Sequence, residues 1–374
     1  MCKALTDQIQ QEGEEFMEAK EKMSTRQKMK ILLFVIEISI ILIMLVVLYL
    51  VMNKSSEGPR MVQINPEKLE IHEEVQQQTQ EGGVMHGYMN IALFGLDAER
   101  ESQLYKGSRS DSTMIASINM DTGEIRLVSV YRDTYLNLGT DDYWKCNAAY
   151  SYGGAEQAIK MLNMNLDLDI TDFVAVGYQG LASVIDGLGG VYIDVDSEEL
   201  THLNNYQIGV SSVLKCEYEP LKEAGYQLLN GLQATAYCRI RATKGDDFKR
   251  TARQREVIKA IEEQAKKADL VTLTKVFNDS IDSIYTSIDS EVILELLGNI
   301  ANYRIVEEDG FPQPDLRTVG NIGGKGSCVV PLNLESNVVW LHKFLFDDED
   351  YAVTESVKEY GRQIEAETSP YLSR

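Results

Sequence analysis

Histidine is scarce in this chain, four in 374 residues, and none of its five cysteines stands at metal-ligand spacing from another. Together these argue against a zinc site. There is no GxxxxGK[ST] loop and no evident Ser–His–Asp or Cys–His order, so neither a P-loop nucleotide site nor a nucleophile triad is indicated. Positive charge is in deficit: 36 Lys and Arg against 58 Asp and Glu leave a net charge of −22. That argues against nucleic acid as partner, and an anionic ligand would need a local basic pocket inside an acidic shell. No internal repeat is apparent.

Against this polar background one long apolar run is present. Residues 31–52, ILLFVIEISIILIMLVVLYLVM, are 22 residues with Glu37 as the only charge. At about 1.5 Å per residue, such a helix crosses a hydrocarbon core of roughly 30 Å. It is too long for a cleaved leader, and no small-residue cleavage site follows it. Glu37, within two turns of one end, can snorkel, stay protonated or meet a partner. Arg26, Lys28 and Lys30 precede the run, while Lys54 and Arg60 follow it more sparsely. The positive-inside rule then places residues 1–30 as a cytoplasmic tail, 31–52 as a transmembrane helix in the cell membrane, and the rest outside. Four cysteines, Cys146, Cys216, Cys238 and Cys328, would lie outside; three pairings are open to them.

Residues 53–88, with the run QQQTQEGG, read as a juxtamembrane spacer. Periodic structure begins at Met89. MNIALFG (89–95), STMIASIN (112–119) and EIRLVSV (124–130) read as strands, the last two joined by a turn at Met120–Gly123. Helical spacing appears over 154–163. DFVAVG (172–177) is a strand, 178–190 an apolar helix closed by glycines, and VYIDV (191–195) another strand. Residues 197–225 look like a variable loop, and 226–238 and 249–268 look helical. Strands alternating with helices predict an α/β fold, a sandwich around a central sheet. Residues 269–374 have apolar stripes at 270–277 and 291–300 and an apolar patch from Val338 to Phe346; the last 25 residues read as poorly ordered.

Three clusters carry candidate chemistry. Asp97 closes a buried strand, and Ser108-Arg109-Ser110-Asp111 opens the next. Carboxylates at neighbouring strand ends point into the crevice where α/β folds bind ligands, and two of them suffice for Mg²⁺ completed by phosphate and water. Equally, both are residues that cap turns. Arg132 follows the strand 124–130; the alternative is a surface ion pair with Asp133. The third cluster is Arg239, Arg241, Asp246, Asp247, Arg250, Arg253, Gln254 and Arg255. On a helix, Arg250, Arg253 and Gln254 share a face, Val257, Ile258 and Ile261 form the apolar stripe, and Arg255 points to solvent. Charge runs are usually solvated faces, but seven of the fifteen arginines fall in these clusters. Arginine matches phosphate oxygens bidentately, so a nest of them beside a carboxylate-held cation suits pyrophosphate or phosphodiester chemistry.

Seven segments in order carry a resemblance: NIALFGLD (90–97), GSRSDSTMIASIN (107–119), LVSVYRDT (127–134), KCNAAYSYGG (145–154), VIDGLGGVYIDV (184–195), GYQLLNGLQATAYCRIR (225–241) and DDFKRTARQREVI (246–258). Behind an N-terminal anchor they resemble the LytR–CpsA–Psr family of cell-wall glycopolymer ligases, over 89–268. The resemblance implies an α/β/α sandwich with a mixed sheet and a long apolar groove for a polyprenyl tail. It implies a phosphotransferase that moves a glycopolymer, a teichoic acid or capsule, from a polyprenyl-pyrophosphate carrier to peptidoglycan, with Mg²⁺ as cofactor. Asp97 and Asp111 then match the metal-side aspartates. Arg109, Arg132, Arg239, Arg241 and Arg250 match the phosphate-binding arginines, with Gln254, Lys145 and Asn147 as further phosphate-side residues. Asp111 and Asp247 are the candidates for the acceptor-side base. Phe173, Val176, Leu181, Val184 and Ile185 are candidates for the lipid groove, with core packing as the alternative. Tyr131 departs from the family's proline before Arg-Asp-Thr, and Cys146 and Cys238 sit beside site positions as candidate buried thiols. The match stops short of 269–374, an extension of unassigned role. A polyprenyl-pyrophosphate phosphatase, with water as acceptor, and a non-catalytic carrier-binding regulator of envelope assembly are the rival readings.

Overall fold

Seven strands order themselves into one mixed sheet. In the computed structural model, which describes residues 60–98, 101–241 and 246–372, these are β1 (Arg60–Met61), β2 (Tyr88–Leu96), β3 (Ser110–Asn119), β4 (Glu124–Val130), β7 (Asp172–Val176), β10 (Ile284–Thr286) and β11 (Arg304–Phe311). Their order across the sheet is β1-β10-β7-β2-β3-β4-β11. β2 pairs antiparallel with β3 and parallel with β7, and β4 pairs parallel with β11. Three small two-stranded sheets accompany it: β5 (Tyr135–Asn137) with β6 (Tyr143–Lys145), β8 (Val191–Val195) with β9 (Gly225–Leu229), and β12 (Arg317–Asn321) with β13 (Ser327–Pro331). The tail, the apolar run 31–52 and the first part of the spacer lie outside the described residues; among the described ones, no helix is long and apolar enough to cross a membrane.

The predicted turn between β3 and β4 forms as its residues dictate. Gly123 takes φ +73°, and the Asn119 side chain accepts from the amides of Asp121 and Thr122 at 3.0 Å each. Strand parity then sorts side chains to two faces. On one face Phe94, Ile115, Val128 and Phe173 join the main core with helices α2 (Asn147–Leu166), α9 (Leu334–Phe346) and α10 (Glu355–Thr368). On the other face lie α3 (Tyr178–Gly187), α4 (Ser197–Leu214), α5 (Gly231–Tyr237) and α6 (Asp246–Ala265), with a second core around Ile185, Val191, Leu203 and Val257. The result is a three-layer α/β/α arrangement.

Four regions differ from the sequence expectation. The spacer is packed: α1 (Glu73–Gln78) brings Val75, and its flanks Leu69 and Met85, into the main core. Residues 197–214 are a helix, not a loop. Asp196 and Glu199 form a reciprocal capping box, and Leu203 and Val210, one face two turns apart, are fully buried. Gly225–Leu229 is a strand, not the start of a helix. The last 25 residues include α10, whose Val357 and Ile364 are 0% and 1% exposed. The segment 269–374, set apart as an extension, supplies β10 and β11 to the central sheet, with α7 (Leu270–Ser280) and α8 (Ser290–Gly298) between α6 and β11.

Candidate active site

The carboxyl ends of β2 and β7 run side by side; β2 continues toward β3, and β7 leads directly into α3. Between the sheet and the helices α3 and α6 opens a cavity of about 750 Å³. Its walls are apolar along the sheet and helices: Leu93, Met114, Val174, Val176, Leu181, Val257 and Ile258. One end is polar and contains Asp97, Arg109, Asp111, Arg132, Arg239, Arg241, Arg250 and Gln254. The three clusters singled out in the sequence thus meet at one place.

Asp111 is the hub. Arg132 Nη1 donates to its Oδ1 at 2.5 Å and Arg241 Nη2 to its Oδ2 at 3.2 Å, while Arg250 Nη2 donates to its backbone carbonyl at 3.1 Å. Arg250, 1% exposed, also pairs with Asp247 Oδ1 at 2.6 Å. Its Nε and Nη1 have no hydrogen-bond acceptor. Buried guanidinium N–H groups left without acceptors are costly and suit an incoming anion. Among the described residues, Arg109 and Arg239 form no ion pair. Arg239 instead lies over the ring of Tyr178 at 4.7 Å and near that of Tyr206 at 6.0 Å, and the Tyr178 hydroxyl donates to Asp97. Burial and that bond push the Tyr178 phenol up, so it stays a donor.

Neither tyrosine was singled out in the sequence. Tyr178 follows Gly177 directly after β7, a strand-end position like that of Asp97, which is the one signal that could have found it. Tyr206 sits on α4, hidden by the loop expectation.

Other predicted residues fall elsewhere. Phe173 cannot share a wall with Val176: three residues along a strand reverses the face, and Phe173 is 0% exposed in the main core. Ile185 is likewise fully buried, in the second core, and Val184 does not reach the cavity wall. Asp247, Lys145 and Asn147 stand behind the cavity. Asp247 braces Arg250; Lys145 Nζ pairs with Asp133 at 3.3 Å; the Asn147 amide donates to the Arg132 carbonyl at 3.1 Å. Arg132 also approaches Asp133, at 3.7 Å, but its shorter bond is to Asp111. Arg253 is turned from the cavity. About 60° around the helix from Arg250, it pairs with Glu199 at 2.6 Å. Arg255, expected in solvent, is largely covered and approaches Glu308 at 3.9 Å.

Cys146, Cys216, Cys238 and Cys328 are free thiols. Burial pushes the Cys146 thiol up, and it donates to the carbonyls of Tyr131 and Arg132 at 3.2 and 3.4 Å. Cys238, on the cavity wall, is pushed up to about 12 by burial. Both therefore act as small apolar groups. Tyr131 packs edge-on to Phe248 of α6, with Arg317 of β12 over both rings.

The donor set suits Mg²⁺ in one specific way. No three His, Cys, Asp or Glu residues among those described could cage a metal. Asp97 and Asp111 line one cavity, however, and Mg²⁺ is commonly held by one or two carboxylates with the remaining positions filled by phosphate and water.

A three-layer α/β protein whose cavity is arginine-rich at one end and apolar along its walls belongs to a class that can take an amphiphilic anion. The chain belongs to the LytR_cpsA_psr family, which it matches over residues 49–329. It is 28% identical over 215 residues to the polyisoprenyl-teichoic acid–peptidoglycan teichoic acid transferase TagU of Halalkalibacterium halodurans, covering 56% of this chain and 64% of that one. It is 31% identical over 224 residues to biofilm regulatory protein A of Streptococcus mutans, covering 56% and 52%. The matched stretch thus spans between half and two thirds of these relatives. The fold is similar to that of YwtF (TagT) with bound octaprenyl pyrophosphate lipid, TM-score 0.51 at 19% identity, covering 78% of this chain and 98% of that one; TagT is a Bacillus subtilis protein.

Proposed function

We propose that this chain is a membrane-anchored phosphotransferase that moves a glycopolymer from a polyprenyl-pyrophosphate carrier to peptidoglycan as a phosphodiester. The observation that carries the reading is the cavity's division: an apolar corridor ending in arginines, Arg132 and Arg250, that have buried N–H groups without acceptors. The names of the TagU relative and of the lipid-bound TagT structure support the same chemistry.

In this reading the prenyl tail lies along Leu93, Val176, Leu181 and Ile258, and the pyrophosphate meets Arg109, Arg132, Arg239, Arg241 and Arg250. A sugar hydroxyl of peptidoglycan attacks the glycan-side phosphorus. The new O–P bond forms as the bond to polyprenyl phosphate breaks, and Asp111, the candidate base that lines the cavity, takes the hydroxyl proton. The arginines stabilise charge as it moves to the leaving phosphate. Asp97 and Asp111 would hold Mg²⁺, which supplies further neutralisation of the pyrophosphate. Residues 31–52 form the anchor with the N-terminus in the cytoplasm, which keeps the site beside a substrate that never leaves its membrane.

A transfer assay with peptidoglycan fragments present and absent tests the reading. Product that requires the acceptor supports it; equal release of phosphate without acceptor would make the chain a phosphatase. Asp111→Ala should abolish Mg²⁺-dependent turnover, and undiminished turnover would remove the metal assignment.

A further inference from the structure

A second recess lies on the far side of α6. It measures about 500 Å³ and is lined by Tyr192, Asp194, Tyr226, Lys249, Glu256 and Lys259, among others. The strands β8 and β9 explain how it is built. Tyr192 stands opposite Leu228 and Asp194 opposite Tyr226, so these four side chains share the outward face. The inward residues Val191, Ile193, Val195 and Leu229 are at most 1% exposed. Burial therefore accounts for the inward face and leaves the outward one unexplained. Tyr192 and Tyr226 are 42% and 68% exposed, yet their rings stack, with centroids 5.4 Å apart and planes 16° apart.

The charges around this platform narrow the ligand. Five carboxylate residues and three cationic ones line the recess, so a polyanion is repelled. Among the described residues, Asp194, Lys249 and Glu263 have no ion-pair partner, which leaves donors and acceptors of both signs facing solvent beside two rings. An uncharged saccharide has the matching chemistry. Its ring C–H face is apolar and lies on an aromatic ring, while its edge presents hydroxyl and amide groups to carboxylates and ammonium groups. An apolar chain would leave those charges unsatisfied.

Position adds a third argument. Arg250 and Gln254 of α6 face the arginine cavity, whereas Lys249, Arg253 and Glu256 face the recess. The two sites are thus separated by about one helix diameter, ~10 Å, the span of a few sugar units.

We propose that this recess is a saccharide-binding site for an uncharged glycan strand, placed to hold the acceptor while its hydroxyl enters the arginine cavity. The acceptor role rests on the function proposed above; the binding site does not.

The test uses the full chain in detergent, chitotetraose as the uncharged glycan probe, and farnesyl pyrophosphate as the cavity probe, both titrated calorimetrically. Chitotetraose should bind, and Tyr226→Ala and Tyr192→Ala should each weaken it by about tenfold, the size of a lost ring contact. Asp194→Asn, which removes charge without volume, should weaken it less. Farnesyl pyrophosphate binding and thermal midpoints should not change. Absent chitotetraose binding, or binding that all three variants leave intact, overturns the proposal. So does a change in sedimentation on Tyr226→Ala, which would make this face a contact between copies of the chain. If chitotetraose binds as stated but farnesyl pyrophosphate does not bind at all, the recess stands and the phosphotransferase reading falls.

Discussion

Arg253 offers the sharpest test of how the arginine site is held. Its side chain is 3% exposed and that of Glu199 9%, and their ion pair measures 2.6 Å. Arg253 Nη1 also donates to the Ile240 carbonyl at 3.0 Å, and its guanidinium lies near the Tyr237 ring at 5.9 Å. Ile240 stands between Arg239 and Arg241, so one buried cation ties α4 and α6 to the segment that presents both phosphate-side arginines. Arg253→Met keeps most of the volume and removes the charge. It leaves Glu199 buried with, among the described residues, only the Asp196 amide, at 3.1 Å, donating to its side chain. Breaking a buried pair from one side costs about 3–5 kcal/mol. At ~2 °C per kcal/mol for a large domain, the thermal midpoint should fall on the order of 6–10 °C. Removing both charges in Glu199→Gln/Arg253→Met should cost less than Arg253→Met alone, because no unpaired carboxylate remains. The assay is thermal unfolding followed by the fluorescence of Trp144 and Trp340, with farnesyl pyrophosphate titrated into each variant. A single variant that unfolds within a degree of the wild type, or a double variant no more stable than the single one, would refute the reasoning.

Further outcomes follow from other contacts. Arg250→Ala should weaken farnesyl pyrophosphate binding roughly 10- to 100-fold, the worth of one or two charged hydrogen bonds, in a calorimetric titration. Burial lowers His342 to about 4 from its ordinary 6.5, with Nε2 at 3.0 Å from the Leu166 carbonyl and the ring stacked on Tyr351. Because the folded value is the lower one, the neutral ring's stability is fully present above pH 6.5 and is lost as pH falls toward 4. That loss is about 3 kcal/mol, and unfolding midpoints measured from pH 7 to pH 4 should fall more steeply for the wild type than for His342→Asn. Ile364→Ala should destabilise by about 2–5 kcal/mol in thermal or urea unfolding, as expected where α10 completes the main core. A negligible loss would show that the end of the chain is dispensable to the fold.

Much of the site was legible because its residues carry local signals. Asp97, Arg132 and Arg109-Ser110-Asp111 stand at strand ends, where parity and a flanking turn point side chains out of the sheet. The Arg239-Ile240-Arg241 pair and the Arg250–Gln254 turn are written in spacings of 2 and 4. Periodicity of this kind is a property of neighbouring residues, so it survives in one dimension; it also placed β2, β3, β4, β7 and β8 within a residue or two. Where the local signal was weak, the sequence misled. Residues 197–214 are polar enough to resemble a loop, and only packing against α5 shows that Leu203 and Val210 have a partner face.

What the sequence by itself determined was the inventory and its order: an apolar run long enough to cross a membrane, a mixed α/β chain, two strand-end aspartates and five arginines fit for phosphate. Tertiary structure alone decided which of these meet. It turned Arg253 into a brace, sent Phe173 and Ile185 into cores, and wove β10 and β11 from the last hundred residues into the sheet. It also set Tyr178 and Tyr206 against Arg239 and paired Tyr192 with Tyr226 across two strands. Each of these outcomes depends on contacts between residues tens to hundreds of positions apart, and no window of local sequence carries that information.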